Sequence, residues 1–285
     1  MTKLKIAVQK KGRLLDDSLK LLKQCGISIN NGKDQLKAEA RNFPLEVLYL
    51  RNSDIPRYLE QGVADIGVIG ENLLVEYDRN IETVLPLGFS KCRVSLALPK
   101  DVDYAGVKYF EGKKIATSYP NTLRKFLNEQ NINAQIHEIA GSVEIAPNIG
   151  LAEGICDIVS TGSTLFKNGL KEVEIIGKSQ AVLAKSMSLS PEKQAILDKL
   201  TFRIESVLAA KNIKYVLMNV PNDKIAEVST LLPVLKSPTV MPLATEGWSS
   251  LHTVIKEKQF WDVIDKLKGA GAEGILVVPV EKMIL

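Results

Sequence analysis

From Asp157 to Leu165 the chain reads Asp-Ile-Val-Ser-Thr-Gly-Ser-Thr-Leu. Two hydroxyl residues, a glycine and two more hydroxyl residues lie between an apolar run and a helix start. The glycine, Gly162, lets the backbone approach a ligand closely. Free N–H groups where a helix begins favour phosphate, and Ser160, Thr161, Ser163 and Thr164 add hydroxyl donors. Asp157 can accept hydrogen bonds from ribose hydroxyls. The competing reading is an ordinary capped strand-to-helix turn. The loop is not a Walker A motif, because no lysine follows Gly162. Arg13 and Arg51 each follow a predicted strand, at the end that faces a cleft in a parallel sheet. A guanidinium fork matches phosphate oxygens, and Lys10 and Lys11 add positive charge nearby. Each of these cations, taken singly, could also be part of a solvated basic loop. For Glu144, at a predicted helix start, the plain reading is a capping or helix-dipole role.

The hydroxyl loop belongs to a twelve-residue pattern that occurs twice, from Gly62 to Leu73 and from Gly154 to Leu165. Gly, Asp, Ile, Gly and Leu recur at the same offsets: Gly62/Gly154, Asp65/Asp157, Ile66/Ile158, Gly70/Gly162 and Leu73/Leu165. The loops then diverge, Gly70-Glu71-Asn72 in the first copy against the hydroxyl string in the second. Similar units with different loop chemistry suggest two lobes sharing one cleft, with the shared residues serving the fold.

Apolar, β-branched runs predict strands at Leu4–Val8, Leu45–Leu50, Ile66–Ile69, Arg93–Leu98, Lys114–Thr117, Gln135–Ile139 and Ile158–Ser160. Helices are expected at Ser18–Gln24, with Asp16 or Asp17 in the first turn, and at Ile55–Gln61, capped by Ser53 or Asp54. Further helices are expected at Thr122–Gln130 and Ile145–Glu153. This alternation argues for α/β lobes with mostly parallel strands. A strand over Glu174–Leu183 is expected to cross back to the first lobe. A long helix starting at Ser190-Pro191, with Ile196, Leu200, Ile204 and Leu208 spaced by four, makes a linker. Beyond it, the βαββαβ order of the C-terminal stretch indicates a ferredoxin-like module. The expected domains are lobe I at 1–92 and 174–188, lobe II at 93–173, a linker helix at 189–212 and the module at 213–285.

Composition sets the outer bounds. The 285 residues carry 37 basic and 33 acidic side chains, a net charge of +4. That is too mild to argue for nucleic acid or membrane, and it suits small anionic substrates bound through local charge. No apolar signal core opens the sequence and no run is apolar enough to span a bilayer, so a cytoplasmic protein is expected. Cys25, Cys92 and Cys156 lack metal-site spacing and read as buried reduced thiols. Only two histidines are present, His137 and His252. A histidine-based metal centre or a Ser-His-Asp triad is therefore not expected, and His137 reads as a strand-surface residue.

The stretch from Glu144 through Asn148, Gly150 and Ala152 to Asp157-Ile-Val-Ser160-Thr161-Gly162-Ser-Thr164-Leu165 resembles the signature of the ATP phosphoribosyltransferase family in its long form. Gln9-Lys10-Lys-Gly12-Arg13-Leu14, Gly67-Val-Ile-Gly70-Glu71 and Ala116-Thr117-Ser118-Tyr119-Pro120 are similar to the family's shorter motifs. Lys11 and Ser163 fall where the family pattern varies and carry little weight. The resemblance covers essentially the whole chain. It implies two periplasmic-binding-protein-like lobes plus a ferredoxin-like (ACT-like) regulatory domain. The implied reaction joins ATP and phosphoribosyl pyrophosphate (PRPP) into N1-(5-phospho-β-D-ribosyl)-ATP and pyrophosphate, the first step of histidine biosynthesis. Mg²⁺ would be carried mainly by substrate phosphates. Histidine would inhibit through residues within 213–285, and the assembly would be a homo-hexamer built from dimers. The resemblance also implies that Asp157 to Thr164 hold the ribose and 5-phosphate, that Arg13 and Arg51 act on phosphates as the catalytic pair, and that Lys10, Gly12, Glu71, Tyr119 and Glu144 complete the substrate site. A two-lobed anion- or nucleotide-binding or sensor protein without turnover is the alternative reading.

Overall fold

The computed structural model describes residues 2–30, 35–232 and 237–284. The chain divides into two compact units, Met1–Asp198 and Lys199–Leu285. The first unit opens with β1 (Leu4–Gln9), α1 (Arg13–Gln24), β2 (Lys37–Glu39), β3 (Leu45–Leu50), α2 (Ile55–Glu60), β4 (Ile66–Gly70), α3 (Glu71–Tyr77) and β5 (Ile81–Pro86). It continues with β6 (Cys92–Pro99), β7 (Lys114–Thr117), α4 (Pro120–Glu129), β8 (Gln135–Glu138), β9 (Gly154–Val159), α5 (Ser163–Lys167), β10 (Leu170–Ser179) and β11 (Ala181–Ser186). These strands form two sheets, ordered β2-β3-β1-β4-β11-β5 and β10-β6-β9-β7-β8. In the first, β3, β1 and β4 run parallel; in the second, β8, β7 and β9 do. The remaining pairings are antiparallel.

Buried Ile, Leu and Val explain why each sheet is covered. Ala7, Ile55, Leu59, Ile69 and Val182 pack together in the first lobe. The second sheet is buried on both faces, one around Leu96, Phe110, Ile115 and Leu123, the other around Ala97, Ala116, Val143 and Ile155. Near-continuous apolar strands such as β9 are what a sheet covered on both sides requires.

α6 (Pro191–Ala209) carries the chain out of the first unit. Its buried stripe is Leu197, Leu200, Ile204 and Val207, the alternating 3/4 spacing of a helix face rather than the strict fours of Ile196, Leu200, Ile204 and Leu208. The second unit holds β12 (Ile213–Pro221), α7 (Ile225–Leu231), β13 (Thr239–Pro242), β14 (Trp248–Lys256), α8 (Glu257–Gly269) and β15 (Glu273–Pro279). Its antiparallel sheet runs β13-β14-β12-β15, the ferredoxin-like order. Val216, Met218, Leu251, Phe260 and Leu267 fill its core. No helix among the described residues is long and apolar enough to cross a membrane.

Several local expectations are corrected. The return to the first lobe comes at Gln180, not at residue 174. β10 stays paired with β6 as far as Ser179 opposite Cys92, and β11 joins β4 from Ala181 opposite Gly70. No α-helix forms over 145–153. A 3₁₀ turn at Val143–Ile145 runs into turns closed by Gly150 at φ 72°, and Pro147 has no N–H to extend a helical ladder. α1 begins at Arg13, earlier than expected. Neither Ser53 nor Asp54 caps α2 with its side chain; the Ser53 hydroxyl lies 3.4 Å from Asp54 instead. Cys92 is half-buried, unlike the buried Cys25 and Cys156, and no disulfide joins any two of them. β2 and β5 are additional antiparallel strands.

The repeat's glycines serve different ends. Gly62 turns the chain after α2 at φ 66°. Gly154 is already in β9, where a Cβ would lie 2.9 Å from Leu98 and from Phe110 and 3.2 Å from the Ala97 carbonyl. Gly154→Ala is therefore expected to destabilise the protein by about 1–3 kcal/mol through overpacking. Gly177→Ala, with open space around it, should stay within about 0.5 kcal/mol. Urea midpoints of the two variants against wild type check this.

Candidate functional site

Parallel register gathers the basic residues of the first lobe. Gln9 lies opposite Leu50, and the Lys10 N–H extends the ladder to the Leu50 carbonyl at 2.7 Å. Lys10 and Arg51 therefore leave the sheet side by side, at a strand spacing of about 5 Å. β4 flanks β1 on its other side, with Ile6 opposite Ile66, so Gly70 and Glu71 emerge at the same edge. Gly12 turns the chain into α1 at φ 91°, a conformation that suits a residue without a Cβ. Arg13 is then the first helical residue. Lys10, Gly12, Arg13, Arg51 and Glu71 are all exposed.

The second lobe repeats the arrangement. Thr117 lies opposite Cys156, so β7 and β9 deliver Ser118-Tyr119 and Asp157 together. The Thr117 hydroxyl donates to the Cys156 carbonyl at 2.7 Å and accepts the Tyr119 N–H at 2.9 Å. Beyond β9, Gly162 adopts φ 80° and starts α5. The Thr161 and Ser163 hydroxyls bond to each other at 3.1 Å, and Thr164 is exposed in the first turn. α5 has only five residues, so its dipole adds less than a full helix would. Backbone N–H groups and hydroxyls are the loop's main donors.

The Arg13 Nη2 joins the two edges by donating to the Ser160 Oγ at 2.9 Å. Ser160 is also held from its own lobe. Arg93, at the start of β6, donates from Nη1 to the Ser160 carbonyl at 3.1 Å. The rest of its fork engages both carboxylate oxygens of Glu172 on β10, and the Ser95 hydroxyl donates to the same carboxylate at 2.6 Å. Hydrogen bonding from Arg93 holds the Glu172 carboxyl below its ordinary range. Arg93, Ser95 and Glu172 escaped sequence reasoning, since they lie inside strands and meet across 77 to 79 positions of chain. Lys10, Arg51 and Glu71 reach the shared edge, but among the described residues none is bonded to the hydroxyl loop.

The two aspartates of the repeat differ sharply. Asp65 is 4% exposed; it accepts the Lys5 N–H at 2.7 Å and pairs with Lys193 at 2.7 Å, a structural role. Asp157 is half-buried and accepts only the adjacent Ile158 N–H, at 2.7 Å, among the contacts described. Burial pushes its carboxyl up from 3.8 to about 6, the Ile158 N–H pulls the other way, and the charge of Glu144 adds to the rise. Burial, and then the charge of Asp157, raises the Tyr119 phenol far above its usual range. Asp157, Glu144 and Tyr119 thus form one electrostatic group beside the loop. A cationic edge, a hydroxyl loop and an under-solvated carboxylate are the kinds of group that suit a phosphorylated sugar.

Two family models match the chain, ATP phosphoribosyltransferase over residues 51–206 and the HisG C-terminal domain over residues 210–282. The chain is 58% identical over 283 residues to an ATP phosphoribosyltransferase of Cytophaga hutchinsonii, covering 99% of each. It is 57% identical over 282 residues to one of Phocaeicola vulgatus, covering 99% of this chain and 100% of that one. Among solved structures, the ATP phosphoribosyl transferase (HisG:HisZ) complex from Thermotoga maritima matches with a TM-score of 0.60 at 30% identity, over 71% of this chain and 98% of that chain. A substrate-binding protein of an amino-acid ABC transporter matches with a TM-score of 0.51 at 11% identity, over 74% of this chain and 95% of that one. This second likeness concerns the fold alone: the two lobes are of the periplasmic-binding-protein kind.

The raised Asp157 carboxyl has a pH signature. Its folded value lies above its unfolded one, so its contribution to stability is present below about pH 4 and is lost as pH rises through about 6. With allowance for solvent at its open side, the loss is expected to be about 1–2 kcal/mol. Urea unfolding of wild type and Asp157→Asn across pH 4 to 8 should show the difference growing through this window and level above it. Parallel curves would overturn the assignment.

Proposed function

The chain belongs to the ATP phosphoribosyltransferase family, and from that premise we propose how its cleft holds the two substrates. The reaction condenses ATP with PRPP to N1-(5-phospho-β-D-ribosyl)-ATP and pyrophosphate, the first step of histidine biosynthesis. Asp157 and the hydroxyl loop, Ser160, Thr161, Gly162, Ser163 and Thr164, hold the ribose and 5-phosphate. Arg13 and Arg51, with Lys10 beside them and Gly12 shaping the turn, meet the phosphates of pyrophosphate and ATP. Glu71, Tyr119 and Glu144 border the same space. The observation that carries this reading is the bond between Arg13 and Ser160, which brings the cationic edge of one lobe to the hydroxyl loop of the other.

Pyrophosphate leaves C1 of the ribose as positive charge develops on the ring. Arginines fixed at the leaving oxygens stabilise the departing charge more than the ground state. Adenine N1 already carries a lone pair, so attack on C1 needs no strong protein base. Holding two anionic substrates in line supplies much of the rate. The ionised form of Asp157 is the one that accepts ribose hydroxyls, and those donors offset the burial that raises its pKa.

Among the described residues no group of three ligating side chains could cage a metal. Mg²⁺ needs no such cage, since it binds through one or two carboxylates plus substrate phosphates. Asp157 and Glu144 are the carboxylates that would meet it. When bound, the ion neutralises charge on the leaving pyrophosphate. Histidine inhibition through the C-terminal module, a hexamer built from dimers and a cytoplasmic location complete the proposal. The match of the HisG C-terminal domain over residues 210–282 supports the regulatory part.

Pyrophosphate release with ATP, PRPP and Mg²⁺ tests the reading; ligand binding without release would favour a two-lobed sensor. Arg13→Ala and Arg51→Ala are each expected to lower turnover about a hundredfold, with thermal midpoints nearly unchanged because both side chains are exposed. Wild-type turnover, or an unfolded variant, counts against the role. Histidine at about millimolar or lower should inhibit the full chain, and truncation after about Asn212 should abolish that inhibition. Inhibition that survives in a folded truncation would remove the regulatory assignment.

A further inference from the structure

The first turn of α4 has no cap of its own. Its N-cap residue, Tyr119, makes no side-chain capping bond, and the leading N–H groups of a helix need acceptors from outside it. They find one on the other lobe. Glu76, near the end of α3, is only 2% exposed. Its Oε1 accepts the Asn121 N–H at 2.9 Å. Its Oε2 accepts the Thr122 N–H at 2.9 Å and the Thr122 hydroxyl at 2.8 Å. The Asn121 Nδ2 donates back to the Glu76 carbonyl at 2.9 Å.

Among the described residues, no lysine or arginine partners this buried carboxylate. Its stabilisation comes from three donor bonds to the carboxylate and from the positive end of α4. A buried charge so held tolerates little displacement, because each lost donor leaves it under-solvated. The position of the contact is what matters. α3 begins at Glu71 in the cleft and ends at this clasp, five residues and about 7.5 Å along one rigid helix. α4 begins immediately after Tyr119, beside Asp157. The clasp therefore fixes the separation between a cleft residue of the first lobe and the ribose-side group of the second.

We propose that Glu76 is a positioning residue: it caps α4 across the lobe boundary and so holds the cleft at the aperture where Arg13 meets Ser160. This rests on the phosphoribosyl-transfer reading only for its kinetic consequence. Without the clasp the lobes part, and the substrates must themselves supply closure. Apparent affinity then falls by the fraction of molecules already closed, while turnover at saturation is largely kept.

The test is Glu76→Gln in the full-length enzyme, with Thr122→Val as a milder partner that keeps both backbone N–H bonds. Glu76→Gln is expected to raise KM for both PRPP and ATP about tenfold, with kcat within about twofold of wild type. Thr122→Val should shift KM in the same direction by less. Small-angle scattering should show a larger radius of gyration for the substrate-free variant, returning to the wild-type value with PRPP and ATP. A fall in kcat at unchanged KM would mark Glu76 as merely structural, as would unchanged scattering. If Glu76→Gln does not fold, a wild-type KM in Thr122→Val overturns the proposal. Absence of pyrophosphate release from wild type would sink the reaction instead, and the scattering comparison would still decide the clasp.

Discussion

Parallel strands deliver their next residues to one edge of a sheet, and in this protein two such edges meet. The register of β1, β3 and β4 puts Lys10, Arg51 and Glu71 at one edge. The register of β7 and β9 puts Tyr119 and Asp157 at the other. Arg13 bridges them through Ser160. A one-residue slip in any of these ladders would send the side chains to the opposite face, so the apolar packing beneath each sheet protects the chemistry above it.

The hydroxyl loop is braced from two sides by different physics. Arg13 is exposed and bonded to Ser160, and in the proposed reading a phosphate oxygen takes over that bond. Arg93 is half-buried and committed, its fork taken up by Glu172 and buttressed by Ser95. In the proposed reading such a division lets one arginine respond to substrate while the other keeps the loop in place. Asp157 adds a carboxylate held short of solvent and, among the described residues, without a cation partner; in the proposed reading a sugar's hydroxyls supply the missing interactions.

The two copies of the Gly-Asp-Ile-Gly-Leu pattern show how little a repeat constrains by itself. Both lead into a helix at the same offset, Glu71 in α3 and Ser163 in α5. Yet Gly62 serves a left-handed turn and Gly154 a close approach within a strand. One aspartate is a buried anchor for Lys193 and the other is half-buried beside the hydroxyl loop. Identical letters meet different surroundings, and the surroundings decide the pKa and the role.

Much of the architecture was legible in local pattern. The apolar β-branched runs marked most strands, the βαββαβ order marked the C-terminal module, and the strand-glycine-hydroxyl string and Arg13 marked two segments that the fold brings into contact. These signals are local, because hydrophobic period and turn chemistry act over a few residues. What only the folded chain decided is long-range. Arg93 finds Glu172 and Glu76 caps α4 across 45 to 79 positions, and the strand return falls at Gln180 because pairing with β6 outlasts the apolar run. No short-range period encodes which carboxylate will meet which donor. That is settled when two sheets pack and a buried charge must find every partner it needs.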